Sequence, residues 1–221
     1  MRRSRAKLRR GRRLKPSSER WLRRQLKDPF VAAAREAGYR SRAAWKLVEI
    51  DDRFRLFRPK ARVVDLGAAP GGWTQVALAR CPGGRVVAVD RAPMAPVDGA
   101  IHLELDILDA ETPPRIREAL GAGADIVLSD MAPPATGHRT VDHARIMHLA
   151  EAAFAFAETV LEPGGILLIK VLKGGTENIF FQRLKPRFAV IRHVKPPASR
   201  AESAESYILA MGFKGRALAK A

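Results

Sequence analysis

A β-branched run that breaks into small residues and resumes as a helix constrains this chain more than any other stretch. Val63-Val64-Asp65-Leu66 reads as a short buried strand, Gly67-Ala68-Ala69-Pro70-Gly71-Gly72 as a turn, and Trp73-Thr74-Gln75-Val76-Ala77-Leu78-Ala79 as a helix. A strand feeding a helix through a glycine-rich turn opens a nucleotide-binding α/β unit. Glycines there let the backbone approach a ligand where a Cβ would collide. A second strand, Arg85-Val86-Val87-Ala88-Val89-Asp90, ends on an acid able to accept hydrogen bonds from both hydroxyls of a ribose. Gly67, Gly71 and Gly72 do not fit G-x-G-x-x-G, and Pro70 interrupts the turn, so no pyrophosphate grip is visible. The expected ligand is a nucleoside without phosphates, and S-adenosylmethionine (SAM) fits.

From Ala61 onward strand and helix patterns alternate. Strands are expected over Arg62–Leu66, Arg85–Asp90, Ile101–Leu105, Asp125–Ser129 and Ile166–Val171, then Phe188–Val194 and Tyr207–Phe213. Helices are expected over Phe30–Ala37, capped by Asp28, and Arg42–Phe54, capped by Ser41, then near Gly72–Arg80, Pro114–Leu120, Val141–Val160 and Glu177–Leu184. Repeated βα units with continuous apolar strands predict an α/β, Rossmann-like fold: a mostly parallel seven-stranded sheet with helices on both faces. The last two strands are joined by too little chain for a crossover helix, so one strand should run antiparallel.

The charge is lopsided. Residues 1–27 hold 13 Lys/Arg against the single acid Glu19, which leaves +5 of the net +17 for everything after them. The expected organisation is a basic, disordered arm at 1–27, a nucleoside-binding α/β domain at 28–213 and a frayed basic tail at 214–221. A basic arm before a mildly basic domain points to a polyanion, by default a nucleic acid. Cys81 is the only cysteine, which excludes an internal disulfide and a zinc site built on several cysteines. No apolar run has membrane-spanning length and the arm lacks a signal peptide's apolar core, so a cytoplasmic protein is expected. His138, His143 and His148 are spaced by five and do not line one helix face, so surface positions and no metal are expected.

Ligands of open α/β sheets bind beyond the carboxyl ends of the strands. Those ends carry Gly67–Trp73, Asp90, Asp106, Asp130 and Lys170, and an antiparallel last strand would bring Glu205 to the same rim. Lys170 stands within Leu167-Leu168-Ile169-Lys170-Val171-Leu172, and a lysine in such a run is rarely buried without a partner.

At these residues the chain resembles the FtsJ-like family of RNA ribose 2′-O-methyltransferases, closely its bacterial large-subunit ribosomal RNA uridine branch. The matching pieces are Arg40-Ser41-Arg42-Ala43-Ala44-Trp45-Lys46-Leu47, Asp65 through Trp73, Asp90 with Pro93-Met94, Ser129-Asp130-Met131-Ala132-Pro133, Lys170-Val171, and Ser199-Arg200 through Glu205 to Tyr207. Pro134 and Lys173 depart from the family pattern on the substrate side. The resemblance implies a catalytic tetrad of Lys46, Asp130, Lys170 and Glu205. It implies SAM contacts at Gly71, Trp73, Asp90, Asp106 and Asp130, with S-adenosylhomocysteine as product. It also implies a uridine of ribosomal RNA in the assembled large subunit as substrate, with Lys170 as the base for the 2′-hydroxyl. A monomer without a metal is expected. A free lysine titrates near about 10.4; desolvation and the charges of Lys46 and the sulfonium would lower that value, whereas Asp130 and Glu205 would oppose the change. The readings set against this one are a tRNA or mRNA-cap ribose methyltransferase and a catalytically silent RNA-binding protein.

Overall fold

The computed structural model describes residues 28–134, 136–174 and 176–215. The arm at 1–27, and the tail from residue 216, lie outside the described residues. The elements run α1 (Pro29–Glu36), α2 (Ala43–Phe54), β1 (Arg62–Leu66), α3 (Gly72–Arg80), β2 (Arg85–Asp90), β3 (Ala100–Glu104), α4 (Thr112–Leu120), β4 (Ala124–Ser129), α5 (Arg139–Val160), β5 (Leu161–Leu172), α6 (Thr176–Leu184), β6 (Phe188–Val194) and β7 (Glu205–Phe213).

The seven strands form one sheet in the order β3-β2-β1-β4-β5-β7-β6. The pairs from β3 to β5 are parallel, and β7 runs antiparallel to both β5 and β6. The reversal expected among the last strands therefore falls on β7. Its pairing sets Tyr207 opposite Lys170 and Glu205 opposite Leu172. The strand order reverses between β1 and β4, so the crevice for a ligand opens beyond the carboxyl ends of that pair.

Each face of the sheet buries its own core. Val64, Leu66, Leu167 and Ile169 pack with α4, α5 and α6 on one side. Val63, Leu128, Leu168 and Leu209 pack with α2 and α3 on the other. Because side chains alternate along a strand, Asp65 and Lys170, each two residues beyond a member of the second core, share the α2/α3 face. Tyr207 belongs to that core directly.

Three local expectations change. Ser41 does not cap α2: the N-cap is Arg42, in helical conformation and without a side-chain cap bond. Ser41 instead packs against the glycine turn, where its Oγ lies 2.4 Å from the position a Cβ on Gly72 would take. Strand β5 begins at Leu161, not Ile166: Leu161 pairs with Ala124, and the register then shifts before Ile126 meets Ile166. Glu162-Pro163-Gly164-Gly165, with Gly164 at φ 84°, is a bulge in a continuing strand. Finally, Lys214 is tied down, its N–H donating to Arg187 O at 2.9 Å.

Candidate active site

Strand β5 carries Lys170 to the carboxyl rim, and β4 ends one residue short of Asp130. Helix α2 contributes Lys46, while β7 starts on Glu205 and brings in Tyr207 from its second pleat. All four residues of the expected tetrad meet there. Lys170 Nζ lies 2.6 Å from Asp130 Oδ1 and also donates to Asp130 O at 2.8 Å. Its distance to Glu205 Oε2 is 3.8 Å. Lys46 Nζ lies 2.7 Å from Glu205 Oε1 and 4.0 Å from Asp130 Oδ1. Each lysine therefore faces both acids.

The cluster is largely dry, with Lys46 6% and Lys170 7% exposed. Burial by itself would raise the Asp130 carboxyl, but the charges of Lys170 and Lys46 and hydrogen bonds from Lys170 and Tyr207 prevail and hold it below the usual carboxylate range. Removing one member of such a buried ion pair typically costs about 3–5 kcal/mol, because the charge left behind has no water to turn to.

Two further residues belong to this group, although the sequence motifs assigned them no role. Tyr207 Oη donates to Asp130 Oδ1 at 2.7 Å, and Lys46 Nζ lies 5.8 Å from the centre of its ring. Burial, followed by the charges of Asp130 and Glu205, pushes the Tyr207 hydroxyl well above its ordinary value, so it remains a donor. Ser199 Oγ donates to Glu205 Oε1 at 2.9 Å. Tyr207 was detectable: two residues after Glu205 on one strand, it had to share that acid's face.

Beside the tetrad opens a cleft of about 1060 Å³, lined among others by Gly67, Ala69, Asp90, Asp106, Asp130 and Met131. Asp90 Oδ2 accepts from Ala69 N at 2.9 Å and Oδ1 from Ala92 N at 2.8 Å, so this acid ties the glycine turn to the end of β2. Asp106 Oδ1 accepts from Leu108 N at 3.0 Å, and Arg91 Nε lies 3.4 Å from its Oδ2.

Gly71 and Trp73 are placed differently. A Cβ on Gly71, at φ 109°, would lie 2.8 Å from Val97 Cγ2 and 3.1 Å from Arg40 Nη1. A Cβ on Gly67 would lie 2.6 Å from Met131 Cγ. These glycines thus make room for the protein's own side chains. The Trp73 indole is buried against Tyr207, with ring centres 5.7 Å apart, and donates to Ala43 O at 2.8 Å. The Trp73 backbone lies in the first turn of α3.

A second cleft, of about 440 Å³, lies between α1 and the β6–β7 loop and shares Ser199 with the tetrad. Arg42 and Arg200 line it and lean on one acid: Arg200 Nη2 donates to Asp28 Oδ2 at 3.0 Å. Arg42 Nε also lies 3.0 Å from that oxygen, but is not aligned to donate to it. Of the three histidines, His138 and His148 are exposed, while half-buried His143 packs where a Cβ on Gly174 would sit. Among the described residues there is no group of three or more His, Cys, Asp and Glu side chains that would hold a metal ion, and no helix long and apolar enough to cross a membrane.

Comparison with known proteins bears on the same residues. Residues 39–213 match the family described as FtsJ-like methyltransferase. The Ribosomal RNA large subunit methyltransferase E of Parvibaculum lavamentivorans is 56% identical over 211 residues, covering 90% of this chain and 83% of its own. Its namesake in Paramagnetospirillum magneticum is 52% identical over 215 residues, covering 95% and 88%. Among solved structures, one described as a ribosomal RNA methyltransferase from Plasmodium falciparum superposes with a TM-score of 0.73 at 29% identity, over 80% of this chain and all of its own.

Proposed function

The chain belongs to the FtsJ-like methyltransferase family, and from that premise we propose that it methylates a ribose 2′-hydroxyl of a uridine in large-subunit ribosomal RNA, on the assembled subunit, with SAM as methyl donor. The observation that carries this reading is the buried Lys46–Asp130–Lys170–Glu205 cluster at the mouth of the large cleft.

The residues present fit the cofactor. A carboxylate offers about four acceptor positions; Asp90 spends two on Ala69 N and Ala92 N, which leaves capacity for the two hydroxyls of a ribose. Asp106 lines the same cleft and suits the base end of the nucleoside. The N–H groups of Gly72 and Trp73, the first of α3, have no acceptor within their helix and favour a carboxylate, which gives Trp73 its part through the main chain; the Gly71 N–H donates to Ala68 O at 2.6 Å, so Gly71 serves through the turn it makes. When bound, the cofactor supplies a methyl group already activated by its sulfonium.

The chain's own task is to place the 2′-oxygen in line and take its proton. Lys170 is the base. Asp130 holds its amine in position by two contacts, and Glu205 does the same for Lys46. Tyr207 donates to the same Asp130 oxygen that Lys170 meets, and Ser199 fixes Glu205. The acceptor strand runs through the second cleft, where Arg42 and Arg200 suit its phosphates. The basic arm adds +12 of charge for the same polyanion. A hydroxyl at the 2′ position belongs to RNA and not to DNA.

The experiment is to incubate the protein with labelled SAM and either naked ribosomal RNA, large subunits or tRNA, and to map the methyl group. Label on a uridine ribose of the large-subunit RNA, strongest with subunits, is expected. Label confined to tRNA, or to a base, would overturn the reading.

A further inference from the structure

Asp65 takes no part in the chemistry proposed above, yet it is the acid of the turn around which the cofactor cleft is built. It sits in β1 two residues before Gly67, on the face that carries the tetrad, and is 1% exposed. Thr74 Oγ1, from α3, donates to its Oδ2 at 2.7 Å. Its Oδ1 is buried and has no hydrogen-bond partner. The neighbouring strands set Ala88 and Leu128 beside it and bring two more acids close, Asp90 at the end of β2 and Asp130 beyond β4. A buried carboxyl with one donor, an unsatisfied oxygen and acids for neighbours favours its neutral form. Burial first, and then the charges of Asp130 and Asp90, push it up to about 7 against the Thr74 bond.

We infer that Asp65 is a positioning acid for a cationic cofactor: it holds a proton in the free protein and releases it when the positively charged methyl donor enters the cleft. This rests on reading the cleft as a SAM site. A positive ligand favours the ionised carboxyl, and by reciprocity the ionised carboxyl strengthens binding of the ligand. SAM binding is therefore proton-linked. Below the Asp65 value of about 7, affinity falls by about tenfold per pH unit.

The test is calorimetry of SAM binding to the full chain in buffers of different ionisation enthalpy. The ligand's own α-amino group titrates at about 7.7–8.0, so the decisive measurement is made at about pH 6 and repeated at about pH 8. Wild type should release roughly one proton at the lower pH and far less at the higher. Asp65→Asn should abolish the release and flatten the pH dependence of affinity. Thr74→Val removes the one donor to the carboxyl and should move the release to higher pH. Binding without proton release in wild type, an equal release in Asp65→Asn, or an unmoved window in Thr74→Val would overturn the inference alone. Failure of SAM to bind at either pH would overturn the cofactor reading with it.

Discussion

Two clusters at opposite ends of the sheet use the same charges for different ends. At the amino-terminal rim Asp125 meets Arg58 Nη2 at 2.8 Å and Arg62 Nε at 3.0 Å. At the carboxyl rim Asp130 meets Lys170 and, further off, Lys46. Both acids are held below the usual carboxylate range although burial opposes it, Asp125 by hydrogen bonds and charge from Arg62, Asp130 chiefly by the charges of its lysines. The cations differ. Arg58 is 72% exposed and Arg62 28%, whereas the lysine side chains are 7% and 8% exposed. A guanidinium forks onto a carboxylate, stays protonated and tolerates water, which suits a clasp between β1 and β4. An ammonium is a compact point charge with three donors, which suits contact with two acids at once. The comparison teaches that the count of charges says little about purpose, while the kind of cation and its hydration say much.

The largest expected effect breaks the lysine cluster. Lys170→Ala should lower kcat by roughly 10²–10⁴, the usual range for a general base, with SAM affinity little changed. Lys170→Arg converts the cluster toward the chemistry of the opposite rim and should not restore activity. Substantial turnover in the arginine variant, measured by methyl transfer, would make Lys170 an electrostatic anchor. Next comes the cofactor cleft: Asp90→Ala should weaken SAM binding by about 1.5–3 kcal/mol, the scale of charge-assisted hydrogen bonds. Calorimetry finding unchanged affinity in a folded protein would remove Asp90 from the site. Asp125→Ala should cost about 1–2 kcal/mol of stability in a denaturant titration, given the exposure of its partners, and leave kcat alone. A fall in kcat there would show that the two rims are coupled.

The smallest effect concerns Tyr207→Phe. Losing its hydrogen bond to Asp130 should cost about 0.5–1.5 kcal/mol. The pH dependence sharpens the test. Since Asp130 is held low in the folded protein, its contribution is present above its unfolded value of about 3.9 and is lost as pH falls below that. Tyr207→Phe lessens the depression, so stability should fall less steeply at acid pH than in wild type. An identical acid limb would mean that the lysines alone set Asp130.

The strands that are short, apolar and bounded by turns were legible in the sequence: β1, β2 and β6 begin and end where their patterns do. So was the convergence of Asp130, Lys170 and Glu205, because strand ends and one reversed strand suffice to bring them together, whereas Lys46, on helix α2, was reached only through the family resemblance. The start of β5 was not, since Pro163 and Gly164 are turn residues unless a neighbouring strand accepts a bulge. Ser41 carried the chemistry of a cap but serves a close approach to Gly72, which depends on how α2 meets α3. Trp73 looked like a ligand contact, yet its indole completes a core with Tyr207; which face a large ring takes is settled by packing, not by its place in a motif.

The place of β7 in the sheet has a consequence for how activity is born. It lies between β5 and β6, although it is the last of the seven strands to be made. Its first residue is Glu205, and Tyr207 follows at once. A ribosome making this chain therefore holds back the closing piece of the site until the end of the domain. A nascent or truncated chain ending before residue 205 has neither a filled sheet nor the Glu205 and Tyr207 members of the buried cluster. Such fragments should be unstable, and without Glu205 the Lys46 amine keeps only its longer contact to Asp130.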